Sequence, residues 1–271
     1  MENFSRIMPK QGCEEWPEKL GRMSQLFYEA EYQTVKKRLR TAATLNIDPN
    51  NLQAKMEKIN KDSLIFAPLR KLKHFPGYSL CQETAEPGEP FLWFGCLTRT
   101  YKDAQTFKQA DLKQDYRTIG HMLGFPDCCI DYFKKTFPVN PDPVWVNLEG
   151  KIIGYPECNT LLRYFGVRMV SHMPCLPRCQ ATKKLGEDWL KVMQDIDKNL
   201  ADEFYNLLAT PVTWNSYHGV VQIETPYFIG LANTFPYLRK PRIIRWKPSR
   251  IKEKTPPQRK IKLKIERKKR K

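Results

Sequence analysis

The sequence has no long apolar run. Its first 16 residues lack the apolar core of a signal peptide, and its richest apolar stretches, residues 63–69 and 90–97, are far shorter than the roughly 20 residues of a membrane-spanning helix. These absences predict a soluble, cytoplasmic protein with no transmembrane segment. In that compartment the eight cysteines are expected to be thiols, thiolates or metal ligands rather than a disulfide framework.

Several catalytic signatures are also missing. The chain contains no glycine-rich phosphate loop, no serine nucleophile elbow and no carboxylate-rich metal motif. Nucleotide hydrolysis and serine chemistry therefore lack support. An internal repeat is absent as well, which argues against a solenoid or a propeller.

The positive charge is concentrated at one end of the chain. The 271 residues carry a formal net charge of +17, from 46 Lys and Arg residues and 29 acids. Residues 238–271 hold 17 of these basic residues and two of the acids, which leaves 29 basic and 27 acidic residues for residues 1–237. The body is therefore nearly neutral.

The basic segment 238–271 predicts a disordered tail, because it has too little apolar surface to fold alone. Its charge would attract nucleic-acid phosphates, with RNA as the favoured partner, and a tryptophan is available to stack on a base. An acidic protein, an anionic membrane surface and a solubilising tail without a specific partner are the alternatives. The candidate nucleic-acid contacts are Arg245, Trp246, Lys247, Arg250, Lys260, Lys262 and Lys264.

Apolar periodicity predicts helices in most of the body. The predicted helices cover about residues 14–46, a segment from near residue 50, and about residues 111–123, 128–137, 160–165 and 177–208. Aromatic and β-branched residues predict strands at residues 91–100, 220–223 and 227–231.

These elements predict an α+β fold that is mainly helical, with a small β-sheet and a disordered basic C-terminal tail. The small sheet is expected to combine the regions around Phe91 and Val220. The predicted organisation is a helical N-terminal region, residues 1–75, a cysteine-containing α+β core domain, residues 76–237, and the tail, residues 238–271.

Four of the cysteines lie at two predicted helix N-termini. Cys128 and Cys129 fall in the first turn of one helix, while Cys175 lies just before the long helix and Cys179 within its first turn. Unpaired backbone N–H groups and the positive end of the helix dipole favour the thiolate there, and thiolate is the form that binds metals. The four cysteines are therefore predicted to share one site.

Such a site can hold either zinc or an iron–sulfur cluster. Adjacent cysteines are expected to have difficulty directing both side chains at one zinc, whereas they reach different irons of a cluster. Cys96 is a candidate additional metal ligand. The alternatives are that the cysteines are small buried apolar residues or form a reversible disulfide.

The order of the cysteines resembles that in the cysteine-rich domains of heterodisulfide reductase-like proteins. Cys96 is followed by 31 residues, the adjacent pair, 45 further residues, Cys175 and Cys179. Here Ile130 replaces the glycine expected after the pair, and three residues rather than two separate the last two cysteines. The resemblance implies an unusual iron–sulfur cluster.

Three segments are similar to an uncharacterised prokaryotic family. They are GFPDCCIDYF, NTLLRYFGVRMVSHMPCLPRCQAT and WNSYHGVVQIETPYF, and the resemblance covers about residues 115–232. It implies a shared site that contains the double cysteine and the His-x-Pro-Cys element, without naming an activity.

Polar residues near these segments are candidates for catalysis. His172 and His218 are the predicted acid–base groups, because histidine titrates near neutral pH. Arg163 is predicted to orient an anionic substrate, and Arg168 is a second candidate for a carboxylate or phosphate. For these arginines the alternative is an ion pair with an acid such as Glu157.

Three functions are compatible with these features. The first is an iron–sulfur or metal-dependent enzyme that acts on a nucleic acid, with RNA favoured. The second is a nucleic-acid-binding protein with a structural zinc site, and the third is a metal-free thiol redox protein.

Overall fold

The computed structural model describes residues 5–73, 83–137, 148–217, 219–233 and 241–249. Within these ranges the chain forms seven α-helices and nine β-strands, arranged as a six-stranded sheet and a separate three-stranded sheet. The prediction of a mainly helical fold with one small sheet is therefore wrong. The Phe91 and Val220 regions lie in different sheets.

The helices are α1 (Trp16–Lys36), α2 (Leu52–Lys61), α3 (Tyr101–Leu112), α4 (Tyr116–Met122), α5 (Asp127–Thr136), α6 (Gln180–Ile196) and α7 (Lys198–Leu208). Short 3-10 helices span Pro49–Asn51, Pro156–Cys158 and Leu161–Phe165. In the described ranges, no helix combines the length and the apolar character needed to cross a bilayer.

The strands are β1 (Ser5–Pro9), β2 (Ala42–Ile47), β3 (Ile65–Lys73), β4 (Phe91–Thr98), β5 (Gly150–Gly154), β6 (Val212–Tyr217), β7 (Val220–Glu224), β8 (Phe228–Asn233) and β9 (Arg242–Pro248). The large sheet has the order β1-β8-β7-β6-β9-β5. Its pairs are antiparallel except β5 with β9, which run parallel.

One face of the large sheet is buried and the other carries the exposed side chains. Residues alternate between buried and exposed along β6, β7 and β9, as expected for a sheet with one solvated face. The inner residues include Trp214, Ile223 and Phe228, which pack with the apolar residues of α1, α6 and α7 in one core.

Strand β9 corrects the prediction of a disordered tail that begins at residue 238. It lies inside the sheet, between β6 and β5, with Ile244 and Trp246 buried in the core at 0% and 1% exposure. From Ile244 to Lys247 apolar residues alternate with basic ones, so Ile244 and Trp246 fit the buried face of a sheet although the segment is rich in charge. Trp246 is consequently not available to stack on a base. Arg250, Lys260, Lys262 and Lys264 lie outside the described residues.

The small sheet has the order β2-β4-β3, and all its pairs are antiparallel. Strand β4 confirms the predicted strand at residues 91–100. Strand β2 replaces the last part of the helix predicted for residues 14–46, because α1 ends at Lys36 and Arg38 turns the chain with a φ of 62°.

The long helix predicted for residues 177–208 is two helices. Asp197 ends α6 and caps α7, because its extended backbone breaks the helical path and its Oδ1 accepts a hydrogen bond from the N–H of Leu200 at 3.0 Å. The break allows α6 and α7 to pack on each other and on α1.

Candidate metal centre

Four cysteines converge at the edge of the main core. Cys128 and Cys129 lie in the first turn of α5, Cys175 lies in the loop before α6, and Cys179 is the residue that caps α6. Their Sγ atoms all lie within 4.8 Å of one another. The predicted shared cluster is therefore confirmed as a group that could hold a metal. Cys179 is the N-cap of α6 instead of lying within its first turn, because the helix begins at Gln180 and not at Pro177.

The Sγ atoms of Cys128, Cys129 and Cys179 form a nearly equilateral triangle. The Sγ atoms of Cys128 and Cys129 are 3.9 Å apart, and each lies 3.7 Å from the Sγ of Cys179. The two adjacent cysteines thus direct their side chains to one place, which the sequence analysis expected to be difficult.

Backbone N–H groups point at two of the sulfurs. The N–H of Thr182 donates to the Sγ of Cys179, and the N–H of Cys175 donates to the Sγ of Cys129, both at 3.4 Å. Donors of this kind stabilise a thiolate. The pKa of Cys179 is lowered, as its position at a helix N-terminus predicted, whereas the pKa of Cys129 is raised, against that prediction.

Hydrogen bonds within the cluster stabilise one thiolate, that of Cys179. The pKa of Cys179 is lowered because the thiols of Cys129 and Cys175 donate hydrogen bonds to its sulfur, with further donation from Thr182. The pKa of Cys175 is raised because its thiol donates to Cys129 and Cys179. Burial and then the charge of Cys179 raise the pKa of Cys128. A bound cation would favour further thiolates in this group, because metal ions bind the deprotonated thiol.

The cluster is closed on one side and open on the other. Cys129 and Cys179 are buried, Cys175 is half-buried and Cys128 is exposed. An ion therefore has a route to the sulfurs from the side of Cys128, while the opposite side is core.

Thr182 and His172 form a second layer behind the sulfurs. The Oγ1 of Thr182 lies 3.3 Å from the Sγ of Cys129 and 2.9 Å from the Nε2 of His172, and Thr182 is fully buried. Thr182 was not predicted from the sequence. Its one local signal is its place three residues after Cys179, where the backbone N–H binds the side chain of an N-cap residue.

His172 does not have the properties of an acid–base group near neutral pH. It is 6% exposed, and burial, opposed by the negative charge of Cys179, lowers its pKa to about 3. The imidazole is therefore neutral and positions Thr182 through a hydrogen bond. His218, the other predicted acid–base group, lies outside the described residues.

Cys96 is not part of the cluster. It lies in β4 and packs with Ala42, Phe107 and Met122 in a separate apolar group, and burial raises its pKa to about 11. Cys158 lies closer to the cluster than Cys96 does, because its Sγ is 3.7 Å from the carbonyl oxygen of Cys179. It is still outside the group of four.

The predicted arginines lie together at a different place. Arg163, in the 3-10 helix Leu161–Phe165, and Arg168 both line a cavity beside α1. The carboxylate of Glu157 accepts a hydrogen bond from the hydroxyl of Tyr205 at 3.1 Å.

No protein-family model, curated protein or solved structure matches this chain. The resemblances to the prokaryotic family and to heterodisulfide reductase-like proteins stay predictions.

Proposed function

We propose that the four cysteines of the cluster bind one zinc ion as thiolates and that this zinc is structural. Four sulfurs at a Zn–S distance of about 2.3 Å form a tetrahedron with edges of about 3.8 Å. The spacings of 3.7, 3.7 and 3.9 Å among Cys128, Cys129 and Cys179 agree with that edge, and the Sγ of Cys175 lies within 4.8 Å of the other three. This convergence of four sulfurs is the observation that carries the proposal. In an iron–sulfur cluster the thiolates bind different irons and therefore stand further apart, so the spacing favours a single ion.

The structural role of the proposed zinc follows from its four ligands, which are all cysteine sulfurs. Four protein sulfurs fill the tetrahedral positions and leave no position for a catalytic water. The ion would tie the first turn of α5 to the start of α6, which lies about 50 residues further along the chain. This arrangement favours the zinc protein over the metal-dependent enzyme.

Metal analysis of full-length protein purified without oxygen tests the proposal. We expect one zinc per chain, no visible absorption band, and loss of the zinc in Cys179→Ser but not in the matched control Cys13→Ser, since Cys13 lies outside the cluster. Brown protein with iron and acid-labile sulfide would instead indicate the cluster, and metal-free protein with titratable thiols would indicate the redox alternative.

A second observation favours a nucleic acid as the partner of this protein. Lys151, Arg245 and Lys247 lie side by side on the exposed face of β5 and β9, where Lys151 is the register partner of Arg245. The sequence beyond β9, residues 250–271, adds 12 Lys and Arg residues against two acids. We infer that this face and the segment that follows it bind the phosphates of a nucleic acid, with RNA favoured.

Binding of a fluorescent 12-nucleotide oligouridylate tests this second proposal. Replacement of the three cations of the face by glutamine (Lys151→Gln, Arg245→Gln, Lys247→Gln) is expected to weaken binding and to reduce the slope of log K against log salt by about 2. The matched control replaces three exposed helical lysines, Lys55, Lys102 and Lys108, by glutamine. Equal binding by the two triple variants would exclude the face as the contact.

A further inference from the structure

A cavity of about 260 Å³ lies between α1, β1 and the 3-10 helix Leu161–Phe165. It is separate from the four cysteines, none of which lines it. Its walls include residues from the first half of α1 and from the segment that ends at Arg168. The cavity is large enough for a small organic molecule.

The polar part of the lining is made of donors. The polar residues that line the cavity are Arg163 and Arg168, which carry guanidinium groups, and Ser5, Ser24 and Tyr28, which carry hydroxyls. Among the described residues that line the cavity there is no carboxylate. Two cations and three hydroxyls without an acid form a surface that is complementary to an oxyanion.

Arg168 is held in place by aromatic side chains instead of an acid. Its guanidinium lies 4.3 Å from the ring centre of Phe27 and 5.7 Å from that of Tyr28. Its Nε is buried and has no hydrogen-bond partner within the described part of the chain. Among the described residues no carboxylate forms an ion pair with Arg168, so an anion that reaches the exposed part of its guanidinium would gain a charge-assisted contact that the protein does not supply.

The rest of the lining is apolar. Ile7, Pro17 and Leu20 form a wall in the same cavity. A ligand that fills it therefore needs both an oxyanion and a small apolar body.

We propose that this cavity binds a small organic anion. Its carboxylate or phosphate group lies between Arg163 and Arg168, and its apolar body packs against Ile7 and Leu20. The proposal is independent of the zinc, because the two sites share no residue.

Gly21 offers a way to close the cavity without disturbing the core. It lines the cavity on α1, and a Cβ placed on it meets no atom within 4 Å. Gly21→Leu is therefore expected to occupy the entrance, whereas Gly21→Ala makes the same change to the helix backbone with a side chain too small to do so.

Calorimetric titration of the full-length protein at constant ionic strength tests the proposal with three probes: benzoate, phenyl phosphate and inorganic phosphate. We expect one site that binds an organic probe at least tenfold more tightly than inorganic phosphate, and the preferred organic probe identifies the head group. Arg168→Gln is expected to weaken that binding at least tenfold. Arg22→Gln, at an exposed arginine of α1 that does not line the cavity, is expected to leave it unchanged.

The two substitutions at Gly21 provide an independent check. Gly21→Leu should weaken binding of the organic probe while Gly21→Ala binds as the unchanged protein does. Equal weakening by Arg168→Gln and Arg22→Gln, or full binding by Gly21→Leu, would overturn the proposal. So would a failure of both organic probes to bind, or inorganic phosphate binding as tightly as they do.

Discussion

Thr182 links the sulfur cluster to the neutral imidazole behind it. Its hydroxyl lies between Cys129 and His172, and its N–H donates to Cys179. We predict that Thr182→Val lowers the affinity for zinc by about 10- to 100-fold, because groups that orient metal ligands typically contribute that much. Competition with a zinc chelator of known affinity measures the change.

The control for Thr182 is Thr182→Ser, which keeps the hydroxyl and the N–H. It should bind zinc within a few-fold of the unchanged protein. An affinity in Thr182→Val equal to that in Thr182→Ser would show that the hydroxyl does not orient the sulfurs.

Glu157 provides a prediction for the dependence of stability on pH. It is 2% exposed, and burial raises its pKa above the ordinary value, against the hydrogen bond from Tyr205. The folded chain therefore holds this proton more tightly than the unfolded chain, so its contribution to stability falls as pH rises from about 4.3 through the folded-state pKa.

Glu157→Gln removes this titration while keeping the shape of the protonated side chain. We predict that the variant is more stable than the unchanged protein at pH 8 and of similar stability at pH 4, where both forms are neutral. Urea unfolding at a series of pH values measures the difference. A difference that does not grow between pH 4 and pH 8 would contradict the prediction.

At the scale of residues, local signals predicted the four cysteines of the cluster well and their surroundings poorly. Cys128 and Cys179 could be placed at helix N-termini because capping patterns are encoded within a few residues. The contact between Cys129 and Thr182, and the burial of His172, depend on how α5 and α6 pack. A sequence pattern does not specify how far apart two helices pack.

Among the elements, the junction of α6 and α7 shows how one side chain ends a helix. Asp197 caps α7, and its side chain accepts from the N–H of Leu200. We predict that Asp197→Ala lowers the free energy of unfolding by about 1 kcal/mol, as is typical for the loss of an N-cap. Asp197→Asn, which retains an acceptor oxygen, should cost much less.

Urea unfolding of both variants checks this prediction. Asp197 is also 3.8 Å from Arg22 in an exposed ion pair, which contributes little. If Asp197→Asn were as destabilising as Asp197→Ala, the charge rather than the cap would be the source of the effect.

The two helices that were predicted too long, at residues 14–46 and 177–208, have a common cause of error. Apolar periodicity continues across the α6–α7 junction and from α1 towards β2, so the pattern predicted single helices in both places. The actual ends depend on single residues: Asp197 with its extended backbone, and Arg38 with its positive φ. Apolar periodicity is judged over a window of about 11–18 residues, so a single residue that ends a helix has little effect on the pattern.

In the whole molecule, the large sheet combines strands from both ends of the described chain. Strand β1 pairs with β8, and β9 pairs with both β6 and β5. Pairings over such separations depend on tertiary packing and leave no local signal. This explains why the predicted sheet was too small and why β9 was assigned to a tail.

The position of β9 predicts opposite outcomes for two truncations. A chain that ends after Leu238 loses β9, which leaves β5 without its partner and exposes the hydrogen-bonding edge of β6. It also loses Trp246, and removal of a buried tryptophan side chain alone typically costs about 3–5 kcal/mol. We predict that this chain does not fold cooperatively.

A chain that ends after Ser249 keeps the contacts that close the sheet. The N–H of Ser249 donates to the carbonyl of Gly154 at 2.7 Å, and Arg178 donates to the Ser249 hydroxyl at 2.9 Å. This chain should show a cooperative thermal transition by circular dichroism, close to that of the full-length protein. A cooperative transition in the chain that ends after Leu238 would contradict the assignment of β9 to the interior of the sheet. Of the two truncations, only the one after Ser249 is expected to remove the basic segment 250–271 and leave the rest of the chain folded. A loss of the proposed RNA binding in that chain could then be attributed to the segment itself.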